Sequence, residues 1–176
     1  MKKSDFNVGA SGSTERFGYE WDTYAKIIPE YKGQFLKWVA PLEKKDFKGK
    51  KILDAGCGIG RNSYWPLQYG AKEIVAFDYD PRTVEVAKNN LAPFKNANVR
   101  LGSIYNISQK RVFDIAFSIG VIHHLADPKK AVAQLVKATK KGDLTYSPYQ
   151  ILKELEGLQF EKDYTETTES GYIYIT

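Results

Sequence analysis

The chain has 176 residues, 43% hydrophobic and 27% charged, with a formal net charge of +5; this is ordinary globular composition and enough for one core. No apolar run approaches membrane-spanning length, Met1 to Phe6 lack a secretory apolar segment, and a single cysteine excludes an intramolecular disulfide or a zinc cluster. The lysines are spread along the chain, with no arginine-rich block or stacked-aromatic motif, so the expectation is a cytoplasmic protein with no nucleic-acid partner and no membrane association.

Residues 1–24 read as a flexible arm. The first 18 are rich in Gly, Ser and charge, and Phe17, Tyr19, Trp21 and Tyr24 then crowd together without strand alternation or a helical stripe. These aromatics either cap the edge of the core or form a lid. Pro29 fits a helix first turn, and Tyr31, Phe35, Trp38, Val39 and Leu42 follow at helical spacing. That helix is expected to lie on the sheet ahead of the first strand.

The stretch Lys51-Ile-Leu-Asp-Ala-Gly-Cys-Gly-Ile-Gly-Arg61 carries the densest information in the chain. Ile52 and Leu53 make a short buried strand that ends on Asp54, and Gly56, Gly58 and Gly60 follow at alternate positions. A turn without Cβ atoms lets backbone approach a ligand closely, and the next helix directs its first N–H groups to the same place. A dinucleotide fingerprint, G-x-G-x-x-G, would need a small residue where Arg61 stands. This disfavours a nicotinamide-dependent oxidoreductase.

The run Asp54 to Gly60 instead resembles the first motif of the class I S-adenosylmethionine-dependent methyltransferases. That resemblance implies S-adenosylmethionine as cofactor, with Gly56, Cys57 and Gly58 passing under its methionine half and Asp54 binding its ammonium group. Tyr19 or Tyr24, in a lid, would reach the cofactor. Arg61 would pair either with the cofactor carboxylate or in a surface salt bridge. Residues 25–176 are then a single cofactor-binding domain.

Asn62 to Tyr69 reads as a short helix stopped by Gly70, with Pro66 predicting a kink or a late start. Glu73 to Phe77 is the second strand, ending on Asp78. An acid at that strand tip, about twenty residues after the glycines, is placed to accept both ribose hydroxyls of an adenosine. Asp80 and Pro81 supply an N-cap and a first-turn proline for a helix with Val84, Ala87 and Leu91 inward. Tyr79 either packs on the adenine edge or is simply exposed at a strand end. Asn98 to Gly102 is the third strand. The family often places an acid after it for the adenine amino group; here Ser103 stands in its place, with Ile104 offering an apolar face to the ring.

Phe113 to Ile119 is the fourth strand, and Gly120-Val-Ile-His-His-Leu-Ala-Asp-Pro128 follows it. Asp127 and Pro128 start a helix with Ala131, Val132, Leu135 and Val136 inward and Gly142 at its end. The order of these residues resembles the small-molecule branch of the family. No Asn-Pro-Pro-Tyr type sequence follows the strand, which argues against nucleobase or glutamine acceptors. Ser118 and Ile119 would meet the cofactor through backbone carbonyls. His123 or His124, with His123 slightly favoured, would be a general base for a hydroxyl acceptor, or else a histidine that fixes the loop. No cluster of acids and histidines asks for a metal.

Beyond Gly142 the chain departs from the family pattern. Leu144 to Ser147 allows only a short or irregular fifth strand, and Pro148 opens a helix with Ile151, Leu152, Leu155 and Leu158 inward. Residues 160–164 and 172–175 read as a terminal antiparallel hairpin. The expected fold is an α/β, Rossmann-like three-layer sandwich with a mostly parallel seven-stranded sheet whose last strand is reversed. The leading functional expectation is methyl transfer from S-adenosylmethionine to a small-molecule acceptor. The alternative is a cofactor-binding module that is inactive alone or needs a partner chain to complete its acceptor site.

Overall fold

The computed structural model describes residues 25–140 and 172–175. Its strands are β1 (Lys51–Ala55), β2 (Glu73–Asp78), β3 (Ala97–Leu101), β4 (Ile115–Ser118) and β5 (Tyr172–Ile175), joined in one sheet of order β3-β2-β1-β4-β5. All four pairings are parallel. The helices are α1 (Tyr31–Trp38), α2 (Arg61–Gln68), α3 (Pro81–Leu91) and α4 (Pro128–Ala138). Strands alternate with helices because parallel neighbours need a crossover, and a helix is the shortest one that buries its own apolar face.

Strand alternation divides the interior into two apolar layers. Ile52, Ile74, Ala76, Ile115 and Phe117 pack with Phe35, Val39, Trp65, Leu67, Ala87 and Leu91, which come from α1, its C-terminal flank, α2 and α3. Leu53, Ala55, Val75, Phe77 and Ala116 pack with Ala131, Val132, Leu135 and Ala138 of α4. Adjacent residues of β1, β2 and β4 therefore serve opposite faces, which makes the sandwich three layers deep. The sheet grows from β1 to β2 and β3, then returns across to β4 on the other side of β1. The carboxyl ends of β1 and β4 flank the resulting switch point, where ligands bind in such sheets.

The starts of α3 and α4 follow the sequence signals, whereas α1 begins at Tyr31 after an N-cap at Glu30 and ends at Trp38, so Pro29 lies before its first turn and Leu42 beyond its end. Asp80 accepts from Arg82 N at 2.9 Å ahead of Pro81, and Asp127 accepts from Lys130 N at 2.9 Å ahead of Pro128. α4 stops at Ala138 rather than at Gly142, because Thr139 is drawn into a parallel bridge with Phe113. α2 begins at Arg61, with Pro66 inside it. The late start fails because Gly60 accepts the first helical bond from Tyr64 N at 2.9 Å.

The C-terminal strand differs from expectation. Tyr172–Ile175 is added parallel to β4, with Ile115 opposite Tyr172 and Ser118 opposite Ile175, so the reversed last strand is not seen among the described residues. A short apolar run specifies that a strand forms and not its direction, and the open edge of β4 can be satisfied by either. The expected strand at 144–147, the helix at 151–158, the hairpin arm at 160–164 and the aromatic arm with Tyr19 and Tyr24 lie outside the described residues.

Phe35 is fully buried, its ring centroid 5.6 Å from that of Phe47 and 6.0 Å from that of Phe117. Phe35→Ala is expected to lower unfolding free energy by about 3–5 kcal/mol in urea denaturation.

Candidate functional site

The glycine turn is bonded almost entirely within the protein. Gly56 N and Cys57 N both donate to Phe77 O, at 2.8 and 2.9 Å, and Gly60 N donates to Cys57 O at 2.9 Å. Gly58 N donates to Asp78 Oδ2 at 2.9 Å. The turn is thus sewn to the end of β2, and these four N–H groups are committed before any ligand arrives. Its glycines serve different neighbours. Gly56 has φ +82°, and a Cβ there would sit 2.5 Å from Val121 Cγ2, so the loop after β4 rests directly on the turn. Gly60 has φ +83°, and its Cβ would sit 3.0 Å from Leu91 Cδ1 of α3.

Two carboxylates border this turn. Asp54 is 1% exposed. Its Oδ2 accepts from Ser63 Oγ at 2.7 Å, and its Oδ1 is buried without a hydrogen-bond partner among the described residues. Burial raises its pKa to about 7 against the Ser63 hydrogen bond, with the charge of Asp78 raising it further and that of Arg61 lowering it. Asp78 accepts from Gly58 N through Oδ2 and from Asp80 N through Oδ1 at 3.1 Å. Its pKa is also raised by burial, opposed by the backbone N–H groups of Asp80, Gly58 and Tyr79. The thiol of Cys57 is pushed well up, first by burial and then by the charges of Asp54 and Asp78.

Arg61 takes a place that the sequence did not indicate. Its guanidinium carbon lies 5.2 Å from the ring centroid of Tyr31 and 5.3 Å from that of Trp38, so the first residue of α2 is held against α1 by cation–π contacts. Burial lowers its pKa, and Tyr31 and then Asp54 oppose that. Arg61 therefore sits in an aromatic bracket beside the acidic turn, in electrostatic contact with Asp54.

Of the remaining predicted residues, those that are described lie at the same end of the sheet, and Tyr19 and Tyr24 fall outside the described residues. Tyr79 is 37% exposed, next to Asp78. Ser103 Oγ accepts from Tyr105 N at 3.2 Å and so shapes its own loop, while Ile104 is buried. Ser118 is buried at the end of β4, where its Oγ donates to Ala55 O at 2.7 Å and locks β4 to β1; Ile119 beside it is also buried. His123 and His124 close a 3₁₀ turn, Ile122–His124, with ring centroids 3.9 Å apart. His123 is exposed and His124 half-buried. Burial first, and then the neighbouring His123, lower the His124 pKa. Among the described residues no group of three acids, histidines or cysteines is placed to hold a metal ion. No described helix is long and apolar enough to cross a membrane.

Three contributors escaped the sequence reading. Ser63 donates the hydrogen bond to Asp54 Oδ2, and its signal is a small hydroxyl residue in the first turn of the helix after the glycines. Asn90 donates to Ile59 O at 2.9 Å and to Ala25 O at 2.8 Å, which joins α3 to the turn and to the N-terminal segment. Val121 fills the space left by the absent Cβ of Gly56. Neither Asn90 nor Val121 belongs to a motif that spacing alone would reveal.

A family model described as "Methyltransferase domain" matches residues 53–146, more than half of the chain. The chain belongs to the S-adenosylmethionine-dependent methyltransferase family. S-adenosylmethionine is the cofactor that this membership brings. Similar proteins include the mitochondrial ubiquinone biosynthesis O-methyltransferase of Schizosaccharomyces pombe, 29% identical over 69% of this chain and 46% of the relative. Another is the tRNA U34 carboxymethyltransferase of Alteromonas mediterranea, 29% identical over 54% of this chain and 31% of the relative. The chain thus spans less than half the length of either relative. In fold it resembles an S-adenosylmethionine-dependent methyltransferase structure from Methanococcus maripaludis, with a TM-score of 0.62 and 19% identity over 76% of this chain and 64% of that one.

Gly56→Ala would put a Cβ into Val121 at a left-handed backbone position, which by itself costs about 1–2 kcal/mol. A lowered melting temperature is expected in calorimetry, larger than for Gly33→Ala, where a Cβ meets nothing within 4 Å. For Asp54 the sign of the pH effect follows from its raised pKa. The folded chain holds the proton more tightly than the unfolded one, so stability falls as pH rises from the ordinary aspartate range to about 7. Asp54→Asn is expected to be more stable than the parent at pH 8 in urea denaturation, with the gap closing as pH falls toward 5.

Proposed function

We propose that the chain binds S-adenosylmethionine at the glycine turn and transfers its methyl group to a small-molecule acceptor beside His123 and His124. The observation that carries this reading is a buried carboxylate, Asp54, and a half-buried one, Asp78, beside a turn whose N–H groups are already engaged. A pyrophosphate would meet two acids and few free donors there. A cation that also bears hydroxyl groups would meet acceptors.

The unpartnered Asp54 Oδ1 then receives the ammonium group of the cofactor. Asp78, which accepts from the Gly58 and Asp80 N–H groups with that of Tyr79 also directed at it, is proposed to accept the ribose hydroxyls as well. Ile104 gives the adenine an apolar wall, with backbone at Ser103 and Ile104 reading the base edge and Tyr79 at its rim. Gly56, Cys57 and Gly58 line the methionine end, where the carbonyls of Ser118 and Ile119 approach from β4 and Arg61 offers a positive charge to the carboxylate. When bound, the cofactor supplies an activated sulfonium methyl, and the protein's task is to hold nucleophile, methyl carbon and sulfur in line. His123 or His124, on the loop after β4, is proposed to take a proton from a hydroxyl acceptor; burial and the neighbouring His123 lower the pKa of His124.

A small-molecule acceptor is supported by the ubiquinone biosynthesis relative and by the sequence Ser118-Ile-Gly-Val121 after β4, which lacks the Asn-Pro-Pro-Tyr pattern. The tRNA-modifying relative defines the competing class. The test has two parts. Calorimetry with S-adenosylhomocysteine is expected to show binding that Asp78→Ala abolishes; unchanged affinity in that variant would refute the ribose role. Methyl transfer from radiolabelled cofactor is expected with a pool of small metabolites and not with bulk tRNA or ribosomal protein, whereas label in the macromolecules would overturn the acceptor assignment. Binding without turnover on any pool would favour the cofactor-binding module.

The pKa of Asp54 adds a pH signature. Pairing with an ammonium needs the carboxylate, so affinity for S-adenosylhomocysteine is expected to rise about tenfold between pH 6 and pH 8. A flat profile would contradict the role given to Asp54.

A further inference from the structure

We infer that Tyr105 is a positioning residue that ties the loop after β3 to the histidine loop, so that filling the cofactor pocket orders the acceptor side. The inference rests on the proposed function, which puts adenine beside Ser103 and Ile104 and acceptor beside His123 and His124. Tyr105 touches both places. Its backbone N donates to Ser103 Oγ at 3.2 Å, and Asn106 N donates to Ser103 O at 3.0 Å, so Ser103 and Tyr105 share one tight turn. Its hydroxyl accepts from Asp127 N at 2.9 Å, across 22 positions of sequence. Its ring packs against the apolar cluster that contains Ile104, Ile122 and Leu125, and Lys130 Nζ stands 5.5 Å from the ring centroid.

The Asp127 N–H lies at the N-cap of α4, where no carbonyl of the helix itself can accept it. Tyr105 therefore satisfies a donor that a phenylalanine would leave to water. At its other end the histidine loop rests on the glycine turn, because Val121 fills the space beside Gly56. The segment from Val121 to Asp127 is thus suspended between two anchors, one on the methionine side of the proposed pocket and one on the adenine side. His123 and His124 lie midway. A ligand that stiffens both anchors stiffens what hangs between them, and this coupling has the same sign in both directions. The ring of Tyr105 is only half-buried and its hydroxyl bond lies toward solvent, so removing the hydroxyl is expected to leave the fold standing.

The test compares the full chain with Tyr105→Phe, using S-adenosylhomocysteine as the probe. Hydrogen exchange at the amides of residues 121–127 is expected to slow about fivefold on saturation of the parent chain. In Tyr105→Phe the affinity is expected to stay within about twofold while that protection is lost. The imidazole resonances of His123 and His124 should likewise move on ligand addition in the parent and stay in place in the variant. A merely structural tyrosine would change melting temperature without separating binding from loop protection. Equal protection in parent and variant would overturn the inference, as would a parent histidine loop that ignores a bound ligand. Failure of the parent to bind S-adenosylhomocysteine at all would instead overturn the proposed function, and the inference with it.

Discussion

A carboxylate buried to 1% exposure, with one oxygen bonded and the other without a partner among the described residues, is the constraint around which this domain is arranged. Leaving a buried polar atom unmatched costs about 1–3 kcal/mol, and the nearby charge of Asp78 works in the same unfavourable direction. Local rules are broken in this way where a fold keeps a place for something else. Ser63 and the bracketed Arg61 moderate the cost without removing it. The site is accordingly poised, with a proton on Asp54 near neutral pH that a cationic partner would displace.

Topology explains why these groups meet. Because the chain reverses the growth of the sheet at β1, the carboxyl ends of β1, β2 and β4 open at one end, and each contributes a different chemistry there. β1 gives Asp54 and the glycine turn, β2 gives Asp78 and the carbonyl of Phe77 that absorbs two of the turn's donors, and β4 gives the loop that bears both histidines. Hydrogen bonds from Gly58 to Asp78 and from Ser118 to Ala55 fix these strand ends relative to one another. The groups proposed to bind the cofactor are therefore held by strand ends of the sheet, while those proposed to meet the acceptor sit on a loop.

Much of this was legible in the sequence because the informative residues are punctuation. β2 carries Asp78 at its tip as expected, and Asp80-Pro81 and Asp127-Pro128 start α3 and α4 because an N-cap and a first-turn proline each have a local physical cause. What escaped is long-range. Arg61 finds Tyr31 and Trp38, Asn90 finds Ile59 and Ala25, Val121 finds Gly56, and Tyr105 finds Asp127; none of these pairings leaves a periodic trace. Strand direction escaped for a related reason. The run at 172–175 states that it is apolar and extended, but the partner that orients it, β4, lies more than fifty residues away in the chain.

The most direct measurement compares two ligands that share the adenosine and differ at its far end: S-adenosylhomocysteine, with an amino-acid head, and 5′-methylthioadenosine, without one. Titration calorimetry on the parent chain and on Asp54→Asn isolates the part of the preference that belongs to that carboxylate. The parent is expected to favour S-adenosylhomocysteine at least tenfold, roughly the worth of one hydrogen bond to a charged group, and Asp54→Asn is expected to lose most of that preference while binding 5′-methylthioadenosine much as before. An identical preference in the two proteins would contradict the account.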